Sequence, residues 1–567
     1  MSAEKESSRK PAKLNRRTFM HLGVFAAAAP TLVGAKIVSA ADSAAPQTAP
    51  AQQNSSTGAD VYETSIADLQ AAMTAKKLTA REIVLAYMAR IKAFDQAGPN
   101  LRSVLELNPD AMEIADALDK ERAASGPRGP LHGIPILLKD NIDTADKMLT
   151  TAGSLAIVGT RPAQDATLAK KLRDAGAIIL GKTNLSEWAN FRGFQSSSGW
   201  SGRGRQTRNP YVTDRNPCGS SSGSGVAVAA SFAAAALGTE TDGSIVCPSH
   251  NCGIVGIKPT VGLTSRAGVI PISHSQDTVG PHGRTVADAA AVLGALTGVD
   301  ARDSATSGSA GKFYTDYTQF LDPNGLRGAR IGVARQVFLG YSPEADKIIE
   351  VAIATIKSLG AIVIDPADIP TAEEIAAGPS EFEVLLYEFK ADLNAYLATR
   401  VPNEAHSNVP VLRTLAQIIA FNEQIAANEL PYFGHEIMEL AQEKGPLTEQ
   451  AYLDALATNR RLGGKDGIDA VMDQFQLDAI IAPTGQPSWP IDLLNGDHFL
   501  GASSSPAAIA GYPLVTVPAG YSFGLPVGIT FMGKAYSEPT LIKLAYAFEQ
   551  ATKVRKPPQF LPTLALP

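Results

Sequence analysis

Three groups of residues in this chain have types and spacing that could do chemistry together. Gly219-Ser220-Ser221-Ser222-Gly223-Ser224-Gly225 and Thr239-Glu240-Thr241-Asp242-Gly243-Ser244-Ile245 both set small hydroxyl side chains on glycine-rich backbone. Upstream, Gly133-Ile134-Pro135-Ile136-Leu137-Leu138-Lys139-Asp140-Asn141 ends a strongly apolar run in a lysine. A surface position is the commoner fate of any lysine. An apolar strand leading straight into Lys139 argues instead for burial, which disfavours the ammonium and leaves an amine able to act as a base. Successive strand side chains point to opposite faces, so Asp140 need not neutralise it. Two serines and a neutral lysine suffice for nucleophilic amide hydrolysis without histidine. A glycine-rich turn can also aim backbone N–H groups at one point, and Thr241, Asp242, Gly243 and Ser244 are the candidates for such an oxyanion site.

Two rival readings use the same stretch. Gly219-Ser220-Ser221-Ser222-Gly223 fits the nucleophile elbow of α/β-hydrolases, but that elbow follows a hydrophobic strand. Here Asp214-Arg215-Asn216-Pro217-Cys218 precedes it, polar and broken by proline. Cys247-Pro248-Ser249-His250-Asn251-Cys252 suggests a thiol nucleophile or a metal site. The spacing is too compact for one metal, and only Cys218 could complete the set; no metal is expected. No H-E-x-x-H pattern occurs.

The elements that must position these residues alternate between strand and helix. Short apolar runs at 134–138 and 177–180 read as strands buried on both faces. Thr79-Ala80-Arg81-Glu82 is a capping box opening a helix. Residues 224–237, almost wholly Ala, Val, Gly and Ser, read as one tightly packed helix. Further strands are expected at 103–107, 329–333, 361–364, 478–482 and 514–517, with helices between them and a last helix at 539–551. This alternation predicts an α/β/α sandwich, a central mixed sheet covered by helices on both faces. The helical stretch near 380–475 reads as an insertion over one side of the sheet, placed to wall the cleft.

The chain has 567 residues, 45% hydrophobic and 19% charged, with a formal net charge of −6. That composition is ordinary for a soluble globular protein. The N-terminal 40 residues are basic, so the body is more acidic than the whole, which argues against nucleic acid or an anionic membrane as a partner. Asn15-Arg16-Arg17-Thr18-Phe19-Met20 is a twin-arginine pattern, followed by an apolar run from Leu22 to about Ala35 that is shorter than a membrane span. Val38-Ser39-Ala40 has the small-x-small form of a cleavage site. Residues 1–40 are therefore expected to be an export signal read by the twin-arginine machinery, with 41–60 a flexible linker and the mature protein periplasmic or secreted, not stably inserted in a membrane. Twin-arginine export carries folded proteins, so Cys218, Cys247 and Cys252 are not expected to form a disulfide framework.

Taken in order and spacing, the lysine block, the Gly-Ser-Ser turn, the Gly-Ser-Ile block and Gly253-Ile254-Val255-Gly256-Ile257-Lys258-Pro259-Thr260 resemble the amidase signature family over about residues 61–550. The resemblance implies that residues 61–567 form an amidase signature domain with no metal or organic cofactor. It implies Ser244 as nucleophile, Ser220 as the bridging serine after a cis peptide bond, and Lys139 as terminal base. Asp242 stands where many relatives have glycine, and Val246 where many have arginine. That version, with Ser273-His274-Ser275-Gln276-Asp277-Thr278 downstream, is more similar to peptide amidases, which remove ammonia from C-terminal carboxamides. The expected substrate is then a peptide amide or other neutral organic amide with a sizeable acyl part. The A subunit of a glutamyl-tRNA amidotransferase-like complex shares the motifs, but would require RNA and cytosolic partners. A non-catalytic secreted binding protein is the third class.

Overall fold

The computed structural model describes residues 59–564. The expected signal at 1–40, and the linker except its last two residues, lie outside them. In chain order the strands are β1 (Val104–Leu107), β2 (Pro135–Lys139), β3 (Thr160–Arg161), β4 (Ile178–Thr183), β5 (Ala235–Glu240), β6 (Val255–Lys258), β7 (Thr278–Gly283), β8 (Arg330–Val333), β9 (Ile362–Ile364), β10 (Val401–Pro402), β11 (Ala479–Pro483), β12 (Leu514–Ser522) and β13 (Leu525–Met532). Eleven of them form one sheet in the order β1-β4-β2-β5-β7-β6-β12-β13-β11-β8-β9, and β3 pairs with β10 separately.

The sheet is mixed. β2 runs parallel to both β4 and β5, whereas β5, β7, β6, β12, β13 and β11 follow one another antiparallel. Every residue of β2, β4, β5, β6, β7, β11 and β13 is buried. Strands buried on consecutive residues must be covered on both faces, as the near-continuous apolar runs predict. The fold is the α/β/α sandwich expected.

The capping box at Thr79 and Glu82 opens the helix Ala80–Arg90. The stretch 224–237 departs from expectation. It is not one helix but the helix Ser222–Ala229 followed by β5. Ser231 takes a positive φ of 55° between them, and Arg284 donates to the carbonyls of Val228 and Ala233, holding the reversal. Alanine, glycine and serine carry no periodic apolar stripe, so the local pattern cannot mark where the helix stops. The helix packs by close approach: a Cβ on Gly223 would lie 2.3 Å from the Ser103 carbonyl oxygen. The 380–475 region holds the helices Ser380–Thr399, Leu415–Gln424, Ala426–Glu429, Glu436–Gln442, Gln450–Arg460 and Asp469–Phe475.

Candidate active site

Lys139 closes β2, and Thr239 lies near the end of the adjacent parallel strand β5. The open ends of parallel strands are where α/β folds gather reacting groups. Lys139 is fully buried, and its Nζ lies 2.8 Å from Ser220 Oγ, 2.8 Å from Thr239 Oγ1 and 3.2 Å from the Thr239 carbonyl oxygen. Asn141 Nδ2 donates to the same Thr239 hydroxyl at 2.9 Å. A neutral amine has two N–H donors and one lone pair. With both donors on Thr239, the lone pair is left for the Ser220 hydroxyl. Burial pushes the Lys139 ammonium down to about 7, while Asp277 and Glu240 pull the other way. Asp140 does not neutralise it. That carboxylate accepts from the Thr151 hydroxyl and backbone and pairs with Arg203 at 3.3 Å.

The two serine turns are tied by backbone. The Ser221 N–H donates to the Ser244 carbonyl at 3.2 Å, and the peptide bond between Gly219 and Ser220 is cis. Gly219 is required by space, because a Cβ there would lie 2.2 Å from Ser186 Oγ. Gly243 has φ +80°, a left-handed conformation that turns the chain just before Ser244. Ser244 leads into the short helix Val246–Asn251. Beneath that start lies Glu240, whose Oε2 accepts from the N–H groups of Ile245 at 2.7 Å and Val246 at 3.0 Å. On the other side, Asp277 accepts from the Thr241 hydroxyl at 2.5 Å and from the backbone of Ile272 and Ser273. Burial raises both carboxyls, Asp277 to about 6.

Ser220, Thr241, Asp242, Gly243 and Ser244 line one cavity of about 780 Å³. Phe191, Phe194, Ile272, Phe382 and Leu385 furnish an apolar part of its wall, and Trp489 and Phe499 another. Among the described residues no lysine, arginine or histidine lines it, while Asp242, Glu381 and Asp497 do. The Asp242 carboxylate accepts from Ser504 Oγ at 2.5 Å and Ser505 Oγ at 2.7 Å, tying the turn before Ser244 to the segment that starts the helix Ser505–Ala510. The 380–475 region reaches the cavity only through Glu381, Phe382 and Leu385; more of the wall comes from 189–198, 337–341, 372–379 and 489–506.

The cysteines correct an expectation. Cys218 and Cys247 form a disulfide with Cα atoms 5.9 Å apart, and only Cys252 is free. The pairing follows from the turns: Cys218 precedes Gly219-Ser220, and Cys247 lies in the first turn of the helix after Ser244. Backbone groups take both ring nitrogens of His250. It is buried between the Gln486 carbonyl and the Gly528 N–H, and burial lowers it to about 4. Thr239, Asn141, Glu240 and Asp277 acquire contacts to which the sequence assigns no role. Their signal is a polar residue on an otherwise buried strand or turn, legible only once Lys139 is taken as buried.

The amidase family model matches residues 82–542. The chain belongs to the amidase signature family. A "Probable amidase" of Arabidopsis thaliana is 44% identical over 510 residues, covering 88% of this chain and 92% of that protein. The A subunit of glutamyl-tRNA(Gln) amidotransferase from Chloroflexus aurantiacus is 35% identical, covering 87% of this chain and 98% of that protein. Among solved structures, native peptide amidase from Stenotrophomonas maltophilia is 54% identical with a TM-score of 0.82, covering 88% of this chain and 99% of that one. The protein is therefore an amide-hydrolysing enzyme of the amidase signature family, similar to peptide amidase.

Proposed function

We propose that the enzyme cleaves the C–N bond of peptide C-terminal amides and other neutral carboxamides through an acyl-enzyme on Ser244. The observation that carries this reading is the 2.8 Å contact between buried Lys139 and Ser220, in the cavity that Ser244 also lines. Neutral Lys139 takes the Ser220 proton as Ser220 takes that of Ser244, and Ser244 Oγ bonds to the amide carbon. Backbone N–H groups of residues 241–244 hold the oxyanion. Ser220 then gives a proton to the departing nitrogen, the C–N bond breaks, and water releases the acid by the reverse relay.

The cavity's chemistry supports the substrate class. Three carboxylates and no basic side chain disfavour an anionic acyl group, whereas an uncharged carboxamide meets no such repulsion. The apolar wall suits a sizeable acyl part. The amidotransferase reading calls for RNA and partner chains, and the acidic body favours neither. The Cys218–Cys247 bridge supports export to an oxidising compartment.

Ammonia release from purified protein and a dipeptide amide tests the reading. Ser244→Ala should abolish release with the fold intact; wild-type release from that variant would sink the assignment. Arg16→Lys with Arg17→Lys should leave precursor in the cytosol. Normal appearance of the mature protein outside would mean another route.

A further inference from the structure

The disulfide lies where the two serine turns meet. The Cys218 N–H is held by Asn216 Oδ1 at 2.8 Å, and the Cys218 carbonyl accepts from Ser222 Oγ at 2.6 Å, so Cys218 is fixed at both ends of its peptide unit just before Ser220. The Cys247 N–H donates to the Gly243 carbonyl at 2.8 Å, closing the helical turn that contains Ser244. Trp489 and Phe499 cluster with the two cysteines. Both cysteines are 5% exposed, and both line the substrate cavity. Apart from this covalent bond, the two stretches are joined by the Ser221–Ser244 backbone bond at 3.2 Å and by the Ser221 hydroxyl, which accepts from the Thr239 N–H at 3.2 Å and donates to the Thr239 carbonyl at 3.1 Å; close to Ser244 the disulfide and the Ser221–Ser244 bond hold the turns.

We propose that the Cys218–Cys247 disulfide is a clasp that holds the Ser220 turn against the Ser244 turn, so that formation of this bond raises turnover and its reduction lowers it. The two cysteines are positioning residues. This rests on the Ser244–Ser220–Lys139 reading. A proton relay through two hydroxyls depends on their separation, and displacement by about 1 Å can cost roughly 100-fold in rate. The redox step is thiol–disulfide exchange with a dithiol that enters through the cavity. Its two thiols supply two electrons and two protons, the Sγ–Sγ bond becomes two thiols, and the dithiol closes to its own disulfide. A protein exported folded would cross with the pair reduced and gain full activity outside by exchange with a small-molecule disulfide, whose S–S bond takes the two electrons and two protons and becomes two thiols as Sγ–Sγ forms.

The test uses the mature enzyme, dithiothreitol and a dipeptide amide. Alkylation and mass measurement count free thiols: one in the oxidised protein, three after reduction. With three thiols and an unchanged near-UV spectrum, kcat should fall by about 10- to 100-fold. KM should stay within a factor of about two, and reoxidation with oxidised glutathione should restore kcat. Saturating dipeptide amide should slow reduction, because the bond is reached through the substrate cavity. Three thiols with unchanged kcat would overturn the clasp. So would a rise in KM alone, which would make the bond only a wall of the cavity. Should the folded protein resist dithiothreitol, Cys218→Ser with Cys247→Ser decides: a folded double variant with wild-type kcat overturns the proposal, and one with the stated fall supports it. Cys252→Ser must respond to dithiothreitol as the wild type does, or the effect belongs to the wrong thiol. Ammonia release by oxidised Ser244→Ala would instead remove the reading beneath the proposal, a separate outcome.

Discussion

The ends of β2 and β6 each carry a fully buried lysine, and the two do different things. Lys139 meets the Ser220 hydroxyl and Thr239. Lys258 donates to the carbonyl oxygens of Ala507, at 3.1 Å, and Tyr512, at 2.5 Å. Burial lowers both, to about 7 and about 8, and Glu240 acts to raise each of them. Proton affinity therefore does not tell them apart. Lys258 donates to acceptors that have no proton to give, so it can only brace the segment beside Asp242. Lys139 faces a hydroxyl that can lose one. On the proposed reading, a depressed lysine becomes a base by what lies opposite it.

The largest effect should come from erasing that difference. Lys139→Met should cost at least about 10,000-fold in kcat, on the scale seen when a member of a catalytic relay is removed. Lys139→Arg should not rescue it, because guanidinium stays charged. Lys258→Met should lose far less kcat, its effect appearing as a lower melting midpoint. Comparable kcat losses for the two would break the distinction.

Proton linkage sharpens it further. The Lys139 pKa falls from 10.5 in a free chain to about 7 in the fold, so the folded protein binds fewer protons between those values and its stability rises with pH across that window. Lys139→Met removes this dependence, and its stability gain over wild type should be greatest below pH about 7, where the fold must bury an ammonium. Activity follows the same sign. The limb of kcat/KM should rise through about 7 in the wild type and in Lys258→Met alike. A limb that moves with Lys258 would assign the base wrongly.

Asp277 gives a smaller test. It raises Lys139, so Asp277→Asn should shift the activity limb to lower pH, with KM little changed. An unmoved limb would confine Asp277 to bracing Thr241. The smallest effect belongs to the wall. Phe382→Ala should lower kcat/KM for a dipeptide amide with an apolar C-terminal residue by about tenfold, the value of one aromatic side chain left unburied. Acetamide turnover should hardly change, and equal losses would place Phe382 outside the acyl site.

Much of the geometry on which the proposed chemistry rests was legible because it is local. The run ending in Lys139 announces a buried lysine, and Gly243 and Ser244 announce a turn. What was not legible depends on contacts between distant segments. Phe191, Phe382, Trp489 and Phe499 share no local pattern, and only the fold brings them to one cavity. Cys218 and Cys247 meet because the turns meet, which no count of cysteines reveals. β7, with Gly280, Pro281 and Gly283 in six residues, is not among the strands expected from the sequence; pairing with β5 and β6 makes it one. The Ala-rich stretch hides its own helix-to-strand change for want of bulky side chains. Asp242 could face cavity or fold from its sequence position, and Ser504 and Ser505, far along the chain, hold it.

The strand order also sets a timetable for biosynthesis. The strands made first, β1, β4, β2, β5, β7 and β6, form one contiguous block, and those made later, β12, β13, β11, β8 and β9, form the other. The joint is the pairing of β6 with β12, Leu514 opposite Lys258 and Val515 opposite Ile257. A ribosome has thus delivered Lys139, Ser220 and Ser244 long before it delivers the strand that seals the exposed flank of β6. The sheet is finished at its middle, from a segment near the end of translation, and a partly synthesised chain carries the proposed reactive side chains before the later half of the sheet is in place.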